Sequence, residues 1–226
     1  MQNIFLLKKK IILFVSYLTL LKNQMPLLKT EFITEKYCEI AIWDITENFD
    51  ELRILCAGLG DTNTISDNFK AEARKKQFLA SRMALNILIK EAKIIYNLNG
   101  TPTLVDDNRF VSISHSNNRA AIIVGNKKVG IDIEKVSDKI EKIAPKFMNA
   151  SELLFAKSVI TKTICWCAKE ALFKMDGTGN VIFAEDIIVD SFEVMPKGTI
   201  TASFKNNCYH LHYELIDEFI LVYVTN

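Results

Sequence analysis

The chain has 226 residues, 49% of them apolar and 24% charged, with a formal net charge of +1. That length can bury a sizeable core, as one large domain or two small ones, and the composition is ordinary for a globular protein. The near-neutral balance excludes a broad nucleic-acid surface, which needs a strong basic excess, but leaves room for a local phosphate pocket.

Lys8, Lys9 and Lys10 precede an apolar run from Ile11 to Leu21. This imitates a secretory signal, yet it is short for a membrane span, and no small-residue cleavage site follows. Met25 opens a second plausible start, so residues 1–24 are expected to be a mis-annotated beginning or a signal-like segment. The five cysteines (Cys38, Cys56, Cys165, Cys167, Cys208) are odd in number and lack framework spacing. They read as reduced, mostly buried thiols of a cytoplasmic protein.

Glu39 to Ile45 reads as a first strand and Glu47 to Leu59 as a helix ended by Gly58 and Gly60. Ser66 and Asp67 can cap a longer helix reaching about Ala92, with Phe69, Ala73, Leu79, Met83 and Ile87 as its apolar stripe. Asn97 to Pro102 is turn chemistry. Phe110 to Ser114 and Ala120 to Val124 are short strands, and Gly125 to Lys128 turns the chain into a strand from Val129 to Glu134. Helices follow over Asp138–Ala144, stopped by Pro145, and over Ala150–Ser158. A longer one spans Thr161–Met175, stopped by Gly177 and Gly179. Strands then cover Asp186–Asp190, Thr199–Phe204, Cys208–Leu215 and Phe219–Val224, with a hairpin tip at Asn206-Asn207. Strands and helices recur in each half, which predicts an α+β fold of two related halves, 25–125 and 126–226.

The run Val129-Gly130-Ile131-Asp132-Ile133-Glu134 carries the most chemistry. Asp132 and Glu134 are two apart on a strand and point to one side. Two carboxylates that close need a cation or a proton between them, and hard oxygen ligands suit Mg²⁺. Two ordinary acids on a solvated strand end remain the alternative. Glu170 and Lys174 are four apart on one helix, where they form either an ion pair or part of a cleft. Trp166 and Phe173 on the same helix favour the cleft. His115 lies between Ser114 and Ser116 at a strand end, and all three side chains can donate to phosphate oxygens. His210 and His212 alternate with apolar residues and read as the outer face of a strand.

In order and spacing, Ser112-Ile113-Ser114-His115-Ser116, then Gly130-Ile131-Asp132-Ile133-Glu134, then Trp166-Cys167-Ala168-Lys169-Glu170-Ala171-Leu172-Phe173-Lys174 resemble the signature of the 4′-phosphopantetheinyl transferases of the surfactin-synthetase-activating type. The resemblance runs from about Phe69 to about Ile188. It implies a pseudo-dimer of two related α/β halves with the active site in the cleft between them. It also implies Mg²⁺-dependent transfer of the 4′-phosphopantetheine arm of coenzyme A to a serine of an acyl or peptidyl carrier protein. A non-catalytic module binding coenzyme A or a carrier is the alternative. A two-halved chain completes its own cleft, so a monomer without stable membrane association is expected.

The resemblance assigns Asp132, Glu134 and Glu170 to the metal. Glu170 also accepts the serine proton, and Lys174 serves the diphosphate. Ser114 and His115 would contact the coenzyme nucleotide, while Arg82 and Lys169 either reach its phosphate or are ordinary solvated helix residues. Phe147 and Glu152 resemble an R-F-x-x-x-x-E segment with Lys146 in place of the arginine, and Glu152 supports the site or simply begins a helix. Relatives usually carry G-K-P where this chain has Gly100-Thr101-Pro102, so the missing lysine weakens coenzyme binding or is compensated by Lys127, Lys128 or Arg119.

Overall fold

The computed structural model describes residues 27–33, 37–60 and 62–226. The signal-like segment and Met25 lie outside the described residues. The chain forms, in order, β1 (Leu27–Ile33), β2 (Cys38–Asp44), α1 (Phe49–Leu55), α2 (Thr62–Asp67), α3 (Glu72–Leu88), β3 (Ile94–Tyr96), β4 (Pro102–Leu104), β5 (Phe110–Ser116), β6 (Arg119–Gly125) and β7 (Val129–Lys135). It continues through α4 (Lys139–Phe147), α5 (Ala150–Phe155), α6 (Val159–Asp176), α7 (Phe183–Asp186), β8 (Ile187–Val189), β9 (Lys197–Phe204), β10 (Asn207–Ile216) and β11 (Phe219–Thr225).

The fold is α+β. One antiparallel sheet has the order β1-β2-β6-β5 and a second has the order β7-β11-β10-β9-β8. Alternation along the strands explains how they stack. Ile40, Ile42, Ala121 and Ile123 turn one way and pack against Ile131, Ile133, Leu221 and Tyr223 of the second sheet. Their neighbours Ala41, Trp43, Ala120 and Ile122 turn the other way, onto Leu79 and Ala84 of α3. In the second sheet Ile220, Val222 and Val224 face Ala168, Ala171 and Leu172 of α6. The layers are therefore helix, sheet, sheet, helix. Strands buried on both faces read as continuous apolar runs, which is why β6 and β11 carry so few polar residues.

Several boundaries differ from those the sequence predicts. Ser66 and Asp67 end the short α2 instead of capping α3, whose N-cap is Ala71. Phe69 thus sits before α3, where its ring meets Phe78 at 5.4 Å. Helix α4 continues two residues past Pro145, because a proline near the end forfeits a single helical hydrogen bond. Asp186 closes α7, and β8 is only Ile187–Val189. The β9–β10 hairpin turns on Lys205-Asn206, both with positive φ, one residue before the predicted tip. Strands β1, β3 and β4 carry no sequence signal strong enough to be expected.

Four cysteines are buried and Cys208 is exposed. Burial pushes the Cys56 and Cys165 thiols up to about 12. His210 is exposed, while His212 is half-buried and stacks on Tyr223 at 5.2 Å. Among the described residues no helix is long and apolar enough to cross a membrane.

Candidate active site

The site begins with a glycine. A Cβ built on Gly130 would lie 1.9 Å from the carbonyl oxygen of Ala171, so only glycine lets the backbone of α6 rest on β7. Small residues at Ala168 and Ala171 extend that close approach. Asp132 and Glu134 follow Gly130 on the same side of the strand and face α6. On α6, Ser158 caps the N-terminus by accepting from Thr161 N–H at 3.0 Å, and Gly177 at φ 70° closes the C-terminus. Trp166, Glu170 and Phe173-Lys174 share one side of the helix at i, i+4 and i+7/i+8 spacing, half-buried.

Asp132 is 2% exposed. Its Oδ1 accepts from Ser114 Oγ at 2.7 Å and from Lys174 Nζ at 2.6 Å, while Oδ2 is buried without a hydrogen-bond partner. Lys174 also donates to Ser114 Oγ at 3.0 Å and to the Ile131 carbonyl at 3.2 Å. Burial, then the charge on Asp132, raises Glu170 to about 7. The same two causes, in the same order, raise Glu134, opposed by hydrogen bonds from Ser116 and Trp166. The three carboxylates feel one another electrostatically.

A ladder of serines fixes this geometry. β5 and β7 are edge strands of different sheets and leave N–H groups that need acceptors. Ser112, Ser114 and Ser116 accept the N–H groups of Ile131, Ile133 and Lys135, each at 3.2 Å. The hydroxyl protons of the last two then go to the carboxylates: Ser114 to Asp132, and Ser116 to Glu134 Oε2 at 2.6 Å. Ser114, expected on the coenzyme, is thus buried and committed to Asp132.

Beside Lys174 opens a cleft of about 240 Å³, with His115, Arg74 and Thr101 in its wall. His115 Nδ1 lies 3.2 Å from Arg74 Nη1. Burial, then Arg74 and Lys174, lowers His115 to about 4, which favours the neutral ring near pH 7. Arg74 is the cleft residue that the sequence reading misses. Its signal is spacing, because Arg74, Phe78 and Ser81 fall on one face of α3 and all line the cleft.

Other expected contacts lie elsewhere. Arg82 is buried behind the wall, donating to Ser81 Oγ at 3.2 Å and Tyr96 Oη at 3.0 Å and lying over Phe78. Lys169 is 0% exposed and cannot meet a coenzyme in this arrangement. Its ammonium donates to Glu152 Oε2 at 2.8 Å and to the carbonyls of Phe183 and Ile187. Glu152 completes a capping box with Asn149 and accepts from Val189 N–H at 2.8 Å, so its role is to tie α5 to β8. Phe147 packs edge-on against Trp166 at 4.9 Å. Arg119 cannot compensate for Thr101, because it is buried under Phe219 and paired with Asp217. Lys128 lines a neighbouring groove that shares Thr101 and Lys174 with the cleft.

The acids fit a hard divalent cation. Asp132 Oδ2 is a buried acceptor lacking a donor, and burial, then the charge on Asp132, raises both Glu134 and Glu170. Among the described residues no three acidic, histidine or cysteine side chains already converge closely enough to chelate an ion. Lys174 meets Asp132 in that arrangement.

A sequence model described as the 4′-phosphopantetheinyl transferase superfamily matches residues 128–224, which include β7, α6 and all but the last residue of β11. A protein named 4′-phosphopantetheinyl transferase gsp, from Aneurinibacillus migulanus, is 29% identical over 140 residues, covering 58% of this chain and 56% of that protein. The chain thus spans little more than half the length of that curated relative.

Proposed function

We infer, from the match of residues 128–224 to the 4′-phosphopantetheinyl transferase superfamily model, that the chain moves the 4′-phosphopantetheine arm of coenzyme A onto a serine of an acyl or peptidyl carrier protein. The other product is adenosine 3′,5′-bisphosphate. The observation that carries this reading is Lys174, a residue of the cleft wall, meeting the buried Asp132 carboxylate, whose charge also acts on Glu170. We read the two sheets and their helices as the related halves 25–125 and 126–226 of the surfactin-synthetase-activating type. A single chain of that type completes its own cleft and acts as a cytoplasmic monomer.

Coenzyme A enters the cleft with its nucleotide toward Arg74, His115 and Thr101 and its diphosphate toward Lys174. Asp132, Glu134 and Glu170 would hold Mg²⁺, which supplies Lewis-acid neutralisation of the diphosphate when bound. Glu170, buried beside Asp132, takes the proton of the carrier serine, directly or through water. The serine oxygen forms a bond to the β-phosphorus. The bond from that phosphorus to the bridging oxygen breaks, and its electron pair leaves with adenosine 3′,5′-bisphosphate. Lys174 turns from Asp132 to the diphosphate and stabilises the departing charge. No group on the protein is modified, so alignment and electrostatics do the catalysis.

Incubation with coenzyme A, Mg²⁺ and a panel of apo carrier proteins tests the reading. The expected result is a carrier heavier by one phosphopantetheine arm. Coenzyme binding without any mass gain would make the protein a binding module instead.

A further inference from the structure

Ser116 occupies an unusual place in the serine ladder. It is 9% exposed and sits at the end of β5 opposite the end of β7. Its oxygen accepts the N–H of Lys135, which fixes one lone pair and hence the hydroxyl rotor. The single proton is left to donate to Glu134 Oε2 at 2.6 Å. Glu134 has a longer side chain than Asp132 and takes hydrogen bonds from Ser116 and Trp166 in place of the Ser114 and Lys174 that grip Asp132. A half-buried glutamate at a strand end keeps rotamer freedom unless something takes one of its oxygens.

We propose that Ser116 is a positioning residue that holds one oxygen of Glu134 so that the other faces the cation site shared with Asp132. The inference rests on the metal reading of the acids given above. Ser112 supplies an internal comparison. It makes the same bond to the strand, with Ile131 N–H at 3.2 Å, but the residue beside it is Gly130, which has no carboxylate to orient. The two serines therefore share the stitching role and differ only in the orienting one.

The test is direct Mn²⁺ binding to the full chain, read from the free-ion electron paramagnetic resonance signal without coenzyme or carrier. Ser116→Ala is expected to weaken Mn²⁺ binding about tenfold, the usual cost of losing an outer partner of a metal ligand. Ser116→Thr, which keeps the hydroxyl, should restore it, and Ser112→Ala should leave it unchanged. In a Glu134→Ala background, Ser116→Ala should add nothing. If the alanine variant does not fold, Ser116→Cys keeps the bulk with a weak donor and carries the same expectation. Wild-type affinity in Ser116→Ala, or equal weakening by Ser112→Ala, would overturn the proposal. A wild-type chain that binds Mn²⁺ but transfers no phosphopantetheine would defeat the function proposed above while leaving the Ser116 comparison readable. A wild-type chain that binds no Mn²⁺ overturns the Ser116 proposal.

Discussion

Lys174 holds its ammonium 2.6 Å from Asp132 Oδ1, against a carboxylate that is 2% exposed. The lysine is one-quarter exposed and carries a flexible stem, so it can leave that carboxylate for a diphosphate. While it stays, its charge opposes a divalent ion at the same acid. Lys174→Met should therefore bind Mg²⁺ more tightly, by roughly tenfold for the loss of one charge-assisted contact, and yet lose transfer. Calorimetric titration checks this, and weaker Mg²⁺ binding in the variant would contradict it.

Gly130 sets the distance between β7 and α6. Gly130→Ala puts a methyl group 1.9 Å from the Ala171 carbonyl, and neither backbone can yield without moving the acids apart. The expected cost is about 3 kcal/mol of stability, with transfer lost. Denaturant melts measure the first, and an unchanged midpoint would show that the helix has room to shift.

Lys169 and Glu152 are both 0% exposed. Removing one partner strands a buried charge, so Lys169→Met should cost about 3–5 kcal/mol. Because neither group reaches the cleft, the KM for coenzyme A in the folded fraction should hold. A raised KM with normal stability would return Lys169 to the coenzyme.

His115 supplies a pH signature. Its folded pKa of about 4 is depressed by burial, Arg74 and Lys174. A bound phosphate raises it, so binding takes up a proton. Affinity for adenosine 3′,5′-bisphosphate should then increase as pH falls from 7 toward 5, and His115→Asn should flatten the profile. In the free protein the same depression works against stability, which declines as pH drops from the unfolded value near 6.5 through about 4. Calorimetry in buffers of different ionisation enthalpy reads the proton uptake directly. No uptake would place the phosphate away from the ring.

The candidate site was legible in sequence where the chemistry is local. Asp132 and Glu134 on one strand, and Glu170 and Lys174 on one helix face, follow from periods of 2 and 3.6 alone. The alternation of β2 and the glycine stop of α6 at Gly177 were equally readable. What escaped depends on tertiary neighbours. Nothing local in Lys169 says that its ammonium is consumed by Glu152, 17 residues earlier in the chain. Nothing in Ser116 says that its partner is Glu134 rather than a phosphate, because both offer oxygen acceptors. Nothing local in Arg74 says which face of α3 turns toward the cleft. Strands β3 and β4, three residues each, fall below the length at which alternation can be counted.

The most direct test of the account compares wild type, Asp132→Ala and Glu170→Ala in one mass-shift assay with coenzyme A, Mg²⁺ and an apo carrier protein. Wild type should load the carrier with phosphopantetheine and both variants should leave it unmodified. Loading by both variants would contradict the acidic site on which the account is built.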